Sequence, residues 1–238
     1  MIKIDLHNHT IASGHAVNTI DELCTQAKDR GIKYLGITDH GPSMEGAPQE
    51  GYFWLAKRIP KEINGIRVLF GVEANIVDMK GNVDISEQVL EYQDVVIAGL
   101  HAKTPYDKNV NNTCYNNTKS IISVIENRKC NILAHPIVEW YDVEIKEIAE
   151  CSIANNVLLE LNCQVFEKID EYILEKYIEM IQIIKRMNAK LIIGSDTHYK
   201  TQLGDFQPVL RYKKILGLDD SLIINSCPDE LKRYGVKI

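Results

Sequence analysis

Short apolar runs rich in Val, Ile and Leu recur along the chain at residues 2–6, 34–38, 68–72, 95–100, 131–134, 158–161 and 191–193. Several are continuously apolar rather than alternating, the pattern of parallel strands covered on both faces. Helical patterns fill many of the gaps. Residues 19–30 open with Thr19 and Glu22 at capping-box spacing and stop before Gly31. Residues 118–127, 143–155 and 169–187 follow, and in the last of these Ile169, Ile173, Tyr177, Met180, Ile181 and Ile184 share one face. Seven strand–helix units with no linker or low-complexity tract predict an α/β fold of one domain over residues 1–238. A closed or nearly closed parallel barrel is preferred over an open doubly wound sheet. The Asn-rich stretch 109–117 and the segment 41–51, with Pro42, Gly46 and Pro48, read as polar loops.

Composition narrows the class without changing the fold. Of 238 residues, 45% are hydrophobic and 25% charged, as in a soluble globular protein. The net charge of -6 argues against a broad basic footprint for nucleic acid or an anionic membrane. No apolar run reaches the roughly 18 residues that a membrane span needs. The start, Met1-Ile2-Lys3-Ile4-Asp5, meets charge at once instead of a signal-peptide apolar region. A cytoplasmic location is therefore expected. The six cysteines include no Cys-x-x-Cys pair and read as reduced, mostly buried small hydrophobes.

The histidines move the argument from fold to chemistry. His7 and His9 follow the first predicted strand, and His15 lies in the loop beyond. His40 follows the second strand, His101 the fourth, His135 the fifth and His198 the seventh. The third strand ends on Glu73 instead, and the seventh also brings Asp196. In a parallel β/α fold the C-terminal strand ends gather on one face, where active sites lie. A lone histidine is more often a satisfied surface or core residue than a ligand. Seven imidazoles and two carboxylates at one barrel mouth are instead the nitrogen and oxygen donor set of hydrolytic zinc, manganese or iron.

The motifs Asp5-Leu6-His7-Asn8-His9-Thr10, Thr38-Asp39-His40-Gly41, Glu73, His101, His135-Pro136 and Ser195-Asp196-Thr197-His198 occur in that order. They resemble those of the PHP family, named for polymerase and histidinol phosphatase domains, over almost the whole chain. His15 and residues 71–76 bring the likeness nearest to the YcdX-type phosphatases. The resemblance implies a distorted, TIM-like, seven-stranded (β/α)7 barrel with about three divalent ions per chain. Zinc is the first expectation, with manganese or iron as alternatives. It assigns His7, His9, Glu73 and Asp196 to one ion, and His15, His40 and His198 to a second. Glu73, His101 and His135 go to a third, which makes Glu73 a bridge. The chain departs from the family near Ala102-Lys103 and in the Asn-rich loop, which bears on substrate more than on metal.

The implied reaction is hydrolysis of a phosphomonoester on a small soluble substrate by metal-activated hydroxide. Asp196, Glu73 and His198 form the expected catalytic set, with Asp196 orienting the hydroxide as well as ligating. Asp5 and Asp39, beside ligating histidines, are candidates to fix ligand orientation. A phosphate also calls for donors, and Arg58, Lys103, Asn75 and Asn162 are candidate substrate contacts. For each of the four, a plain surface or strand-end role competes. Three other functions compete: a PHP-type nuclease or phosphodiesterase, a non-catalytic metal-bound scaffold, and a metal-dependent amidohydrolase barrel. The last shares the His-x-His opening and late aspartate but is disfavoured by the lack of an obvious strand-end lysine and by Thr38-Asp39-His40. The acidic charge counts against nucleic acid, and the complete ligand set against a decayed site. Nothing in the sequence sets an oligomeric state.

Overall fold

A computed structural model describes residues 2–238. Every predicted apolar run becomes a strand: β1 (Ile4–Asp5), β2 (Tyr34–Ile37), β4 (Ile66–Asn75), β5 (Val95–Gly99), β6 (Ile132–Leu133), β7 (Leu158–Asn162) and β8 (Leu191–Gly194). An eighth, β3 (Glu62–Ile63), pairs antiparallel with β4 across Asn64-Gly65. Both turn residues have positive φ, the type I′ hairpin signature. The other seven run parallel in the order β1-β2-β4-β5-β6-β7-β8. Around them lie helices α1 (Ile20–Arg30), α2 (Glu87–Leu90), α3 (Pro105–Asn109), α4 (Cys114–Glu126), α5 (Ile145–Asn155), α6 (Cys163–Glu167), α7 (Glu171–Arg186), α8 (Gln207–Leu210) and α9 (Lys213–Leu216). The result is a nearly closed, distorted (β/α)7 barrel. Among the described residues no helix is long and apolar enough to cross a membrane.

Local chemistry sets the element ends. Thr19 and Glu22 close a reciprocal capping box on α1, and Gly31 ends it in the left-handed conformation. Helix α7 starts at the Asp170 cap and buries Ile173, Tyr177, Met180, Ile181 and Ile184 of the expected stripe, whereas Ile169 lies before the cap and is half-buried. The Asn-rich stretch departs from expectation. It is not one polar loop, because Pro105–Asn109 is helical and α4 begins at Cys114 under a Thr113 cap. Asn117 is buried there, bonded to the Tyr106 hydroxyl, Asn112 and the Asp142 carbonyl. Tertiary hydrogen bonds satisfy an asparagine that local propensity alone places in a loop.

Strand alternation sorts the core into two layers. Leu159, Leu161, Leu191 and Ile193 face outward with the helices, in one cluster with Val68, Phe70 and Val72. Ile4, Leu6, Leu69, Val95, Ile97, Ile132, Leu158 and Ile192 fill the barrel interior, and the C-terminal segment adds Ile224, Leu231, Tyr234 and Val236 to that layer. The lower barrel is therefore a packed core, and polar groups collect at the upper end.

Closure between β1 and β8 is achieved in two ways. At the top, Asn8 bridges Thr197, and the His9 amide donates to the Thr197 carbonyl at 2.9 Å. Lower down, the buried Asn225 fills the seam. Its Oδ1 accepts from the Ile193 amide at 2.9 Å, and its Nδ2 donates to the carbonyls of Ile4 at 2.9 Å and Ile193 at 2.8 Å. Removing a partner from buried backbone groups costs about 1–3 kcal/mol per orphaned group. Asn225→Ala is therefore expected to destabilise the fold by roughly 3 kcal/mol. Denaturant titration checks this; a change under about 0.5 kcal/mol would mean the seam is not held here.

Candidate metal centre

All seven histidines lie at the upper end of the barrel, with Glu73 among them. Glu73 belongs to β4 itself, which runs to Asn75, and its side chain points inward and is fully buried. Five imidazoles surround it. Oε1 lies 3.2 Å from His7 Nε2, 3.1 Å from His101 Nε2 and 2.9 Å from His135 Nε2. Oε2 lies 2.8 Å from His40 Nδ1 and 3.4 Å from His9 Nε2. Asp196 Oδ1 stands 3.1 Å from His9 Nε2, 3.5 Å from His7 Nε2 and 3.6 Å from His198 Nδ1. His15 is exposed, its ring 4.9 Å from that of His40 and 4.8 Å from that of His198.

The backbone turns sharply to aim two of these side chains. His135 and Asp196 both have positive φ, 60° and 53°. That conformation is uncommon outside glycine and costs of order 1–3 kcal/mol, and it concentrates at functional sites. Space is made where strands end on glycine. A Cβ on Gly99 would lie 2.8 Å from His135 Cε1.

The donor set fits divalent ions. His7 Nε2, His9 Nε2, His40 Nδ1 and Glu73 Oε2 are buried without a hydrogen-bond partner, and all four face the cluster. Tetrahedral ligands about 2.1 Å from an ion stand about 3.4 Å apart, close to the spacings above. Three groupings place one donor atom per residue within 4.8 Å of the others: His7, His9 and Asp196; His9, His40 and His198; His40, Glu73 and His101.

The electrostatics agree. Burial would raise the Glu73 carboxyl, but the charges of His7, His40 and His101 hold it well below its usual range. Burial likewise opposes ionisation of Asp196, and His7 and His9 reverse it. Burial, then the neighbouring His40, push His9 down to about 3, so it is neutral and free to ligate. Burial would lower His7, yet Glu160, Glu73 and Asp196 raise it well above normal. Three carboxylates thus converge where, among the described residues, no lysine or arginine makes an ion pair with them. Buried anions cost several kcal/mol each unless offset, and cations would offset them.

The remaining candidates have defined places. Asp39 is buried and accepts from the Thr10 amide, Thr10 Oγ1, Ser13 Oγ at 2.6 Å and the Tyr52 hydroxyl at 2.7 Å. Ser13 Oγ lies 3.1 Å from His9 Nδ1, so Asp39 reaches that ring through one hydroxyl. Asp5 accepts from the amides of Ser195 and Gly204, tying β1 to the segment carrying Asp196; burial pushes it up to about 6. Asn75 donates to Asp84 and to the Gly41 carbonyl, pinning the segment after His40. Asn162 caps α6 with Oδ1 and donates from Nδ2 towards Glu160 at 3.0 Å and Asp196 at 3.1 Å. Arg58 and Lys103 are exposed, and neither side chain contacts the cluster among the described residues.

Sequence reasoning missed Glu160. It is buried in β7, its Oε1 2.8 Å from His7 Nδ1. The available signal was a lone carboxylate in the apolar run 158–161, two residues before Asn162 and so on the same inward face.

Residues 5–164 match the model of the PHP domain, more than half of the chain. The chain belongs to the PHP family. Among PHP relatives it is 35% identical to a probable phosphatase of Proteus mirabilis, over 100% of this chain and 97% of that protein. It is 32% identical to the probable phosphatase YcdX of Escherichia coli, over 98% and 94%. The crystal structure of histidinol phosphate phosphatase from Lactococcus lactis, complexed with Zn, L-histidinol and phosphate, has the same fold. Its TM-score is 0.62 at 16% identity, covering 91% of this chain and 94% of that one.

Proposed function

We propose that this protein hydrolyses phosphomonoesters of small soluble molecules at a centre of about three divalent ions, zinc foremost, and that the PHP domain spans residues 1–238. At the coarser level it is a metal-dependent phosphatase, as its probable-phosphatase relatives indicate. The observation that carries the finer reading is the five-imidazole shell around Glu73, with four buried donor atoms left for cations. His7, His9 and Asp196 would hold one ion, and His15, His40 and His198 a second. His101 and His135 would hold a third, with Glu73 shared. When bound, such ions lower the pKa of water towards neutrality and offset phosphoryl charge. Asp196, turned into the mouth by its positive φ, orients the nucleophile. Asp39, through Ser13, and Asp5, through the β1–β8 seam, position the ligands. Arg58 and Lys103, as exposed cations, reach the substrate beyond its phosphate, and Asn75 and Asn162 steady the walls around it. The free cysteines fit a cytoplasmic setting.

The test is elemental analysis of protein purified without chelator, followed by a phosphomonoester screen with the metal found. Two to three equivalents and turnover of a small phosphomonoester are expected. Asp196→Asn should lower kcat by about 10²-fold or more. Full metal content with full rate in that variant would end the orienting role. Preferential cleavage of single-stranded DNA would favour a nuclease.

A further inference from the structure

Glu160 has two donors to satisfy, and both belong to the metal centre. Its Oε1 faces His7 Nδ1 at 2.8 Å and its Oε2 faces Asn162 Nδ2 at 3.0 Å. A carboxylate oxygen accepts, so a neutral, ligating His7 carries its one proton on Nδ1 and keeps the Nε2 lone pair for the cluster. Asn162 Nδ2 also reaches Asp196 Oδ2 at 3.1 Å. Asn162 cannot turn over, because its Oδ1 receives the amides of Gln164 and Val165 at 2.9 and 3.3 Å. One buried carboxylate therefore touches His7 directly and Asp196 through one amide. These are two donors of a single grouping, the one completed by His9. The barrel leaves room for it only because residue 194 is glycine. A Cβ there would lie 1.9 Å from Glu160 Oε1.

We propose that Glu160 is the positioning residue for one ion of the cluster, the ion shared by His7, His9 and Asp196, with Asn162 as its relay and Gly194 as the gap it occupies. The inference rests on the metal-centre reading above. Its chemistry makes Glu160→Gln a sharp probe. A glutamine has one acceptor and one donor end. With Asn162 locked, the oxygen stays on Asn162 and the NH₂ group faces His7. His7 then accepts at Nδ1 and carries its proton on Nε2, the atom aimed at the ion. The variant keeps the shape of the side chain and changes the tautomer of one ligand.

The experiment is stepwise metal removal from the loaded protein with a graded chelator, counting retained equivalents by elemental analysis and melting each metal-free form. In Glu160→Gln one equivalent is expected to leave at about 10–100-fold lower chelator, the others leaving as in wild type. The metal-free variant should melt within a few degrees of metal-free wild type. Gly194→Ala, which removes no polar group but displaces the carboxylate and crowds His7 Cβ at 3.0 Å, should lose the same equivalent early. Wild-type release in both variants overturns the proposal, as does equal weakening of every ion. A wild-type protein that binds no divalent ion removes the metal reading itself. A loaded wild type with an unchanged Glu160→Gln removes this inference alone.

Discussion

Replacing Glu73 with glutamine is expected to lower kcat/KM by about 10³-fold or more, the largest effect of any single substitution in the protein. The change is nearly isosteric, so the expectation rests on charge and valence. Glu73 presents two anionic oxygens to five imidazoles at 2.8–3.4 Å. An amide keeps one acceptor and turns an NH₂ group towards either His9 and His40 or His7, His101 and His135. Whichever side receives it loses a ligand atom and gains a donor where a cation belongs. A tenfold change corresponds to about 1.4 kcal/mol, so 10³-fold asks for about 4 kcal/mol. That is within the several kcal/mol that a Lewis-acid site contributes. The check is turnover at saturating metal alongside metal equivalents and circular dichroism. A folded variant within tenfold of wild type would show that Glu73 does not bridge.

The barrel and its mouth were readable because they depend on periodicities the sequence displays. Parallel strands buried on both faces appear as apolar runs, and β5 and β8 begin where the runs at 95 and 191 begin. Histidines are few, so their placement after successive strands stood out. Other features depend on contacts between distant segments. Nothing local to Asn225 marks it as a side chain standing in for a strand ladder between β1 and β8. Residues 224–236 gave no signal that they fill the barrel interior. The helical start of α4 within an Asn-rich tract depends on partners at Tyr106 and Asp142. Glu160 was legible in principle, since an inward carboxylate between Leu158 and Asn162 violates the pattern of its own strand. Its meaning needed His7, 153 positions away. Asn75 and Asn162 likewise read as strand-end donors, and only the fold shows their amides engaged with Asp84, Glu160 and Asp196.

Chelation is expected to lower the melting temperature by about 15–30 °C at neutral pH, and by much less near pH 5. An ion present at 100 times its dissociation constant adds about 2.7 kcal/mol to the folded state. A domain of this size shifts about 2–4 °C per kcal/mol. Each of about three ions is then worth roughly 5–10 °C. The pH dependence follows from competition between protons and metal for the same nitrogen atoms. In the metal-free chain, carboxylates raise His7 and His135 above 6.5 despite burial. That stability is fully present below 6.5 and is lost as pH rises through the raised folded values. Glu73 and Asp196 are depressed, so their contribution is present above 4.5 and 3.8 and is lost as pH falls. Burial lowers His9, His15 and His101, which favours the metal-free fold above 6.5 and opposes the His7 and His135 trend. Burial raises Asp5 to about 6, a contribution present below 3.8 and lost as pH rises through 6. The contributions in the metal-free protein therefore oppose one another in sign. The loaded protein has no such opposition, because every ligating nitrogen must be deprotonated. The gap between the two melting curves should therefore widen steadily from pH 5 to pH 8. Differential scanning calorimetry of both forms at several pH values measures it. A gap of constant size across that range would mean that the histidines are not the groups holding the ions.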